Sequence, residues 1–149
     1  MKLRHQNSIG FIIHHTDLKV SHLLSARFRA YDITPEQWFL LNRLAEQDGI
    51  NQKELSERAG KNQTIITRMI DILERKGFIT KQTDSQDRRA FLIYLTDKGR
   101  SIQDELAVLE EEAIENALQG IPAEDVAKFR ETLLQIYENI TAIIRETKS

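Results

Sequence analysis

The stretch KNQTIITRMIDILERK, residues 61–76, decides the fold that we expect for the chain. On a helix that turns about 100° per residue, its apolar side chains fall on one arc and its polar side chains on the opposite arc. The apolar arc contains Ile65, Ile66, Met69, Ile70, Ile72 and Leu73. The spacing predicts an amphipathic helix that starts at an Asn62 cap and ends at Gly77.

A shorter helix is predicted directly upstream, in the stretch NQKELSERA at residues 51–59. Asn51 followed by Glu54 has the pattern of a capping box, and Gly60 suits the turn that follows. A short helix, a glycine turn and a second helix with a polar outer face is the pattern of a helix-turn-helix. The alternative for this stretch alone is an ordinary hairpin of two helices.

Strand-like spacing begins after Gly77. Residues 78–83 and 90–95 are rich in aromatic, β-branched and aliphatic side chains, and they flank the polar loop DSQDRR at residues 84–89. Two strands around a short polar loop predict a β-hairpin. A helix-turn-helix followed by a hairpin is a winged helix, and here the tip of the wing carries Arg88 and Arg89.

Long helices are predicted on both sides of this unit, at residues 8–31, 35–47 and 96–119 and from Pro122 onward. The fold class is therefore mainly α with a small β wing. We expect the chain to divide into an N-terminal dimerisation helix (1–33), a winged helix-turn-helix DNA-binding domain (34–99) and C-terminal dimerisation helices (100–149). The flanking helices carry more apolar surface than one small winged helix covers, which favours a homodimer over a monomer with self-packed helices.

Composition narrows the function classes. The absence of cysteine excludes disulfides and thiolate metal sites. No signal peptide and no run of about 18 apolar residues is visible, so we expect a cytoplasmic protein with no membrane segment. Residues 51–100 have a net charge of +4 and the remainder −6, which suits a nucleic-acid surface on a solvated scaffold. Nothing indicates an enzyme, because no nucleophile elbow or phosphate-binding glycine loop is present.

Several short motifs, taken in order, resemble the MarR family of bacterial and archaeal transcription regulators. They are LSERA at 55–59, TRMIDILERKGFI at 67–79, DSQDRR at 84–89 and LTDKG at 95–99. Ser85 departs from the pattern, since the family often has proline there. The resemblance implies a homodimeric winged-helix repressor or activator of transcription, with six helices per subunit. It also implies that a small-molecule or chemical signal is sensed between the dimer helices and the winged helix.

The DNA-binding candidates lie on the second helix and the wing. Gln63, Thr64, Thr67 and Arg68 are expected in the major groove, where Arg suits guanine, Gln suits adenine and Thr suits the thymine methyl. Arg88 and Arg89 suit a narrow A·T-rich minor groove, and by the resemblance Asp87 holds the wing through a salt bridge to an arginine. Lys61 and Asn62 are expected to be phosphate contacts or caps, and phosphate contacts are also expected from Lys53, Arg75, Lys76 and Lys81.

An effector site is predicted less directly. His15, His22 and Trp38 suit a small aromatic or phenolic ligand. The histidines of the first helix provide no tight trio of ligands, so no metal or cofactor is expected. Two rival functions stay open: a metal-responsive regulator of the same fold, and a winged helix that contacts only proteins. Steeply salt-dependent binding to random DNA distinguishes a DNA reader from the protein-interaction module.

Overall fold

The computed structural model describes residues 8–87 and 89–148 of the chain. The described residues form six α-helices and a three-stranded sheet. In chain order the elements are α1 (Ile9–Phe28), α2 (Pro35–Glu46), β1 (Ile50–Asn51), α3 (Gln52–Ala59), α4 (Gln63–Arg75), β2 (Ile79–Thr83), β3 (Phe91–Leu95), α5 (Asp97–Ala117) and α6 (Ala123–Lys148). The expected mainly helical fold with a small wing is confirmed.

The predicted helix starts are made by side-chain caps. Thr34 Oγ1 accepts the backbone N–H of Gln37 at 3.1 Å, and Gln37 Oε1 accepts the N–H of Thr34 at 3.2 Å. This reciprocal pair satisfies two backbone donors that a helix start leaves open. Single caps by Ser8 and Asn62 start α1 and α4 in the same way. The local sequence therefore fixes where these helices begin.

The wing is part of an antiparallel sheet with the order β1-β3-β2. The hairpin register pairs Ile79 with Leu95 and Thr83 with Phe91. The third strand, β1, pairs with β3 and places Ile50 opposite Ile93. The wing is thus tied by its inner strand to the start of α3.

Residues 8–113 form the first of two compact units and contain the hydrophobic core. One face of α2 packs into this core, with Trp38 4% exposed and both Leu41 and Leu44 fully buried. The two halves of α1 differ in burial: Ile9, Ile12 and Ile13 are exposed, whereas Leu24 and Phe28 pack into the core. In the single chain, the first turns of α1 therefore have an uncovered apolar face.

The junction between β3 and α5 is tightly packed. Thr96 Oγ1 donates to the carbonyl of Gly77 at 2.6 Å and accepts the N–H of Gly99 at 3.0 Å. The N–H of Thr96 donates to the carbonyl of Phe78, also at 3.0 Å. A Cβ atom at Gly99 would lie 2.1 Å from that carbonyl oxygen, so this position has no room for a side chain.

The second unit, residues 114–148, consists of the end of α5, a turn and α6. Gly120 makes the turn with a φ of +83°, which a residue with a side chain rarely adopts. Apolar side chains recur at spacings of three and four along α6 and are largely exposed, with Phe129 at 60%, Ile140 at 50% and Ile143 at 59%. Among the described residues, no helix is long and apolar enough to cross a membrane.

Candidate nucleic-acid interface

The polar outer face predicted for α4 is present. Gln63, Thr64, Thr67 and Arg68 are all exposed, while the opposite face of the helix is buried. Ile66, Met69, Ile70 and Leu73 form that buried face. Two apolar residues assigned to the packing arc differ from the prediction, because Ile65 is 43% exposed and Ile72 is half-buried at the edge of the packed face.

Hydrogen bonds fix the turn that presents α4. Gly60 ends α3 with a φ of +65°. The N–H of Lys61 donates to the carbonyl of Ser56 at 3.2 Å, and the buried Ser56 hydroxyl donates back to the carbonyl of Lys61. Asn62 Oδ1 then accepts the N–H of Ile65 at 2.9 Å. Asn62 is thus used as a cap, and Lys61 lies at the corner with its side chain half-buried.

Gln52, which the sequence analysis did not select, contacts the exposed face of α4. Its Nε2 donates to Thr67 Oγ1 and, at 3.4 Å, to the carbonyl of Gln63. Thr67 Oγ1 in turn donates to the same carbonyl at 2.7 Å. The only sequence signal was a long amide side chain at the first position of α3, which has no distinguishing pattern of its own.

Two aspartate side chains stabilise the wing loop by accepting backbone N–H groups within it. Asp84 Oδ1 accepts the N–H of Gln86 at 2.9 Å, and Asp87 Oδ1 accepts the N–H of Arg89 at 3.0 Å. Asp87 forms no salt bridge with the described arginines, and its expected bridge to an arginine of the wing stays a prediction. The side chain of Arg89 is exposed, and Arg88 lies outside the described residues.

The basic residues beyond the first turns of α4 have partners within the protein. Lys81 Nζ lies 3.2 Å from Asp71 and 3.6 Å from Glu74, and Lys76 Nζ lies 3.6 Å from Asp32. Arg75 Nε donates to the backbone of α4 at 3.3 Å. Any phosphate contact by these residues has to compete with these contacts. In the described part of the chain, the side chains of Lys53 and Arg68 have no such competitor.

A groove separates the start of α4 from the wing. Its volume is about 490 Å³, and its walls include Lys53, Gln63, Lys81, Arg89 and Phe91. Phe91 is 51% exposed, although it occupies a strand position. Side chains from α3, α4 and the wing therefore meet at one basic and partly aromatic surface.

The three residues predicted to bind an effector have different surroundings. Trp38 is a core residue: its ring contacts Phe28 edge-on at 5.4 Å, and its Nε1 donates to the carbonyl of Gln103 at 3.3 Å. Its burial contradicts an open pocket-lining role in the single chain. His15 stacks on Phe11 with ring centroids 3.9 Å apart, and His22 is exposed.

A different cavity lies beside α4, which we call the recognition helix, within the first unit. It has a volume of about 490 Å³, and none of the three predicted effector residues lines it. Its walls include the exposed Phe39, Met69 on α4, the basic residues Arg43 and Lys61, and the acidic residues Asp17, Glu36 and Glu46. In the part of the chain that the structure describes, no group of three His, Asp or Glu side chains converges as a metal site would require.

Comparison with known proteins identifies relatives that share this sequence pattern and this fold. The MarR family model matches residues 33–91. The HTH-type transcriptional regulator YybA of Bacillus subtilis (strain 168) is 32% identical over 113 residues, which cover 76% of this chain and 75% of that protein.

Two solved structures share the fold over most of their length. A MarR transcriptional regulator from Methanosarcina mazei Go1 has a TM-score of 0.85 and 26% identity, covering 91% of this chain and 97% of its own. The transcriptional repressor CouR, bound to a 23-mer DNA duplex, has a TM-score of 0.81 and 25% identity, covering 95% and 98%.

Proposed function

The chain belongs to the MarR family of DNA-binding transcriptional regulators, and from that premise we propose that it is a ligand-responsive repressor that binds a pseudo-palindromic operator as a homodimer. The exposed polar face of α4, set beside a basic wing, is the observation that carries this proposal. CouR, which shares the fold at 25% identity, is a repressor bound to a DNA duplex. As a DNA-binding regulator, the protein is expected in the cytoplasm.

Base contacts are proposed for Gln63, Thr64, Thr67 and Arg68 in the major groove. Arg68 suits guanine because its guanidinium can donate two parallel hydrogen bonds to O6 and N7. No side chain in the described residues occupies that guanidinium, so its donors are available to DNA. Lys53 is proposed to contact phosphate from the same side of the groove, and Arg88 and Arg89 to enter the adjacent minor groove.

Homodimerisation is proposed through residues 1–33 and 100–149, with residues 34–99 as the DNA-binding domain. Support comes from apolar side chains that the single chain leaves uncovered in each unit, such as Ile9 at 69% exposed and Phe129 at 60%. Exposed apolar patches of this kind mark protein contacts. A second copy is the favoured occupant because two recognition helices read two-fold DNA.

The effector is proposed to be a small aromatic or phenolic acid bound in the cavity beside α4. Phe39 and Met69 offer apolar contact, and Arg43 and Lys61 offer positive charge to a carboxylate. That carboxylate would take the place of Glu46, whose Oε2 lies 3.3 Å from Nη1 of Arg43. Met69 and Lys61 belong to α4 and to the turn before it, so an occupied cavity acts on the recognition helix directly. A ligand shifts DNA binding only if it favours the conformation that cannot bind the operator.

The DNA and dimer proposals are tested together. An operator is selected from a random duplex library, footprinted, and compared with the mass of the protein in sedimentation. We expect a dimer that protects two half-sites with centres about 10 base pairs apart, one helical turn of DNA. A stable monomer, or an asymmetric footprint over one half-site, contradicts the proposal.

The effector proposal is tested with a panel of phenolic and aromatic acids added to the protein–operator complex. At least one acid should release the operator from the parent protein. Arg43→Ala should retain operator affinity but respond more weakly to that acid, because the carboxylate loses a cationic partner. Arg29→Ala, which removes an exposed arginine away from the cavity, is the control. Unchanged operator affinity across the whole panel contradicts the ligand route.

A further inference from the structure

Gln52 and Thr67 form a clamp that joins α3 to the exposed face of α4. Nε2 of Gln52 donates to Thr67 Oγ1 and to the backbone carbonyl of Gln63. The Thr67 hydroxyl lies 2.7 Å from the same carbonyl, one helical turn earlier in α4. Thr67 stays exposed, so the clamp constrains a side chain on the surface that faces DNA in the proposed complex.

Proton counting determines what Thr67 can still offer to DNA. A hydroxyl has one proton to donate, and the Gln63 carbonyl can only accept, so the Thr67 proton belongs to that carbonyl. The contact with Gln52 must then run from the Gln52 amide to the Thr67 oxygen. Thr67 consequently has no donor left for guanine O6 and N7 or for thymine O4, the acceptors of the major groove.

The position of Gln52 is set by the sheet as well as by α3. Asn51, the residue before it, pairs with Leu92 of the wing strand β3 and caps α3 by accepting the N–H of Glu54 at 2.8 Å. The clamp therefore connects the wing strand to the recognition helix through a single backbone step. These contacts fix the position of the wing relative to α4 in the protein without DNA.

We propose that Gln52 is a positioning residue which occupies one lone pair of the Thr67 hydroxyl while the Gln63 carbonyl takes its proton, so that Thr67 presents its methyl group, and no donor, to DNA. The matching base feature is the C5 methyl group of thymine in the major groove. This inference rests on the proposed operator binding and adds a base preference at one position. It also assigns a role to Gln52, whose side chain touches no base in this scheme.

The test replaces thymine with deoxyuridine, one position at a time, in a duplex selected by the full-length protein. Deoxyuridine lacks only the methyl group. At one position in each half-site, the parent protein should bind the thymine duplex about fourfold more tightly, which corresponds to about 0.8 kcal/mol for one buried methyl. Thr67→Val loses the clamp but keeps a methyl, and in a helix valine holds one strongly preferred rotamer whereas threonine divides between two, so this variant should keep the ratio without Gln52. Thr67→Ser keeps the hydroxyl and should reduce the ratio to about one.

The role of Gln52 is tested with Gln52→Met, which keeps the length of the side chain but cannot donate. Its thymine-to-deoxyuridine ratio should fall below half of the parent value, at an unchanged melting temperature and unchanged binding to random DNA. In the Thr67→Ser background the same change should add nothing, because the effect runs through Thr67. Gln119→Ala, in the exposed turn before α6, is the matched control.

Two results overturn this inference and leave the proposed function standing. If Thr67→Ser keeps the thymine preference while Thr67→Val loses operator affinity, the hydroxyl and not the methyl reads DNA. If the selected duplex is bound but no thymine can be distinguished from deoxyuridine, the methyl reading is wrong and operator binding stands. Failure to enrich any duplex is a separate outcome, which refutes the proposed function and this inference with it.

Discussion

Gly99→Ala should destabilise the protein, although alanine is the better helix former. Gly99 lies in the first turn of α5, where Gly→Ala on propensity alone would stabilise by at most about 1 kcal/mol. A Cβ atom there would lie 2.1 Å from the Phe78 carbonyl oxygen, whereas carbon and oxygen normally approach to about 3.3 Å. The carbonyl or the helix would have to move by roughly the difference.

The obstacle is backbone, so it cannot rotate away as a flexible side chain could. The same carbonyl accepts the N–H of Thr96 at 3.0 Å, and a shift would weaken that bond as well. Overpacking costs about 1–3 kcal/mol, and a weakened partly buried hydrogen bond adds about 1 kcal/mol. After the propensity gain is subtracted, the net loss is about 1–3 kcal/mol, or a melting temperature lower by roughly 2–12 °C.

Urea denaturation and thermal melting measure this loss. Gly10→Ala is the matched control, because Gly10 also lies in the first turn of a helix and a Cβ atom there would have no neighbour within 4 Å. The control should be neutral or slightly stabilised. If Gly99→Ala is as stable as Gly10→Ala, the contact with Phe78 is not a constraint and the reasoning is wrong.

Three further predictions concern DNA binding and pH. Arg68→Ala should weaken operator binding by about 1–3 kcal/mol and relax specificity at one position, whereas Lys81→Ala should weaken all sequences alike; equal losses on operator and random DNA contradict a base contact by Arg68. Arg88→Ala combined with Arg89→Ala should lose most operator affinity, more on A·T-rich flanks, at an unchanged melting temperature, and binding equal to that of the parent removes the wing from the interface. Burial raises the pKa of the Glu110 carboxyl, so the folded protein binds this proton more tightly than the unfolded chain does. The contribution of Glu110 to stability is therefore lost as pH rises through the raised pKa. Glu110→Gln should therefore raise the melting temperature at neutral pH but not in acid, and an equal effect at both would refute this assignment.

Local sequence patterns predicted the helices and strands well, because helix caps and side-chain spacing depend on residues that are close together in the chain. The Thr34 and Asn62 caps start their helices through bonds that span three residues. The two faces of α4 followed from helical spacing, and the two hairpin strands from strand spacing and the polar loop between them. The LTDKG motif also acquires a physical reason, since Gly99 packs directly against a backbone carbonyl.

Pairings between elements could not be read from the sequence. The two carboxylates beside Lys81 come from α4, and nothing in the order of residues shows that β2 brings this lysine to them. Trp38 has a side chain of a type that often lines ligand sites, but here it is buried by packing against α1 and α5. The clamp of Gln52 on Thr67 likewise depends on the angle between two helices, which spacing along one helix does not encode.

The order of the small sheet bears on how the protein can aggregate. Because β3 is in the middle, the free backbone edges belong to β1, which has two residues, and to β2, which has five and carries Lys81. Short strands and lysine on an edge discourage pairing with a strand of another chain. Fibril-like association through this sheet is therefore disfavoured, and concentrated preparations should remain free of cross-β material for as long as the fold persists.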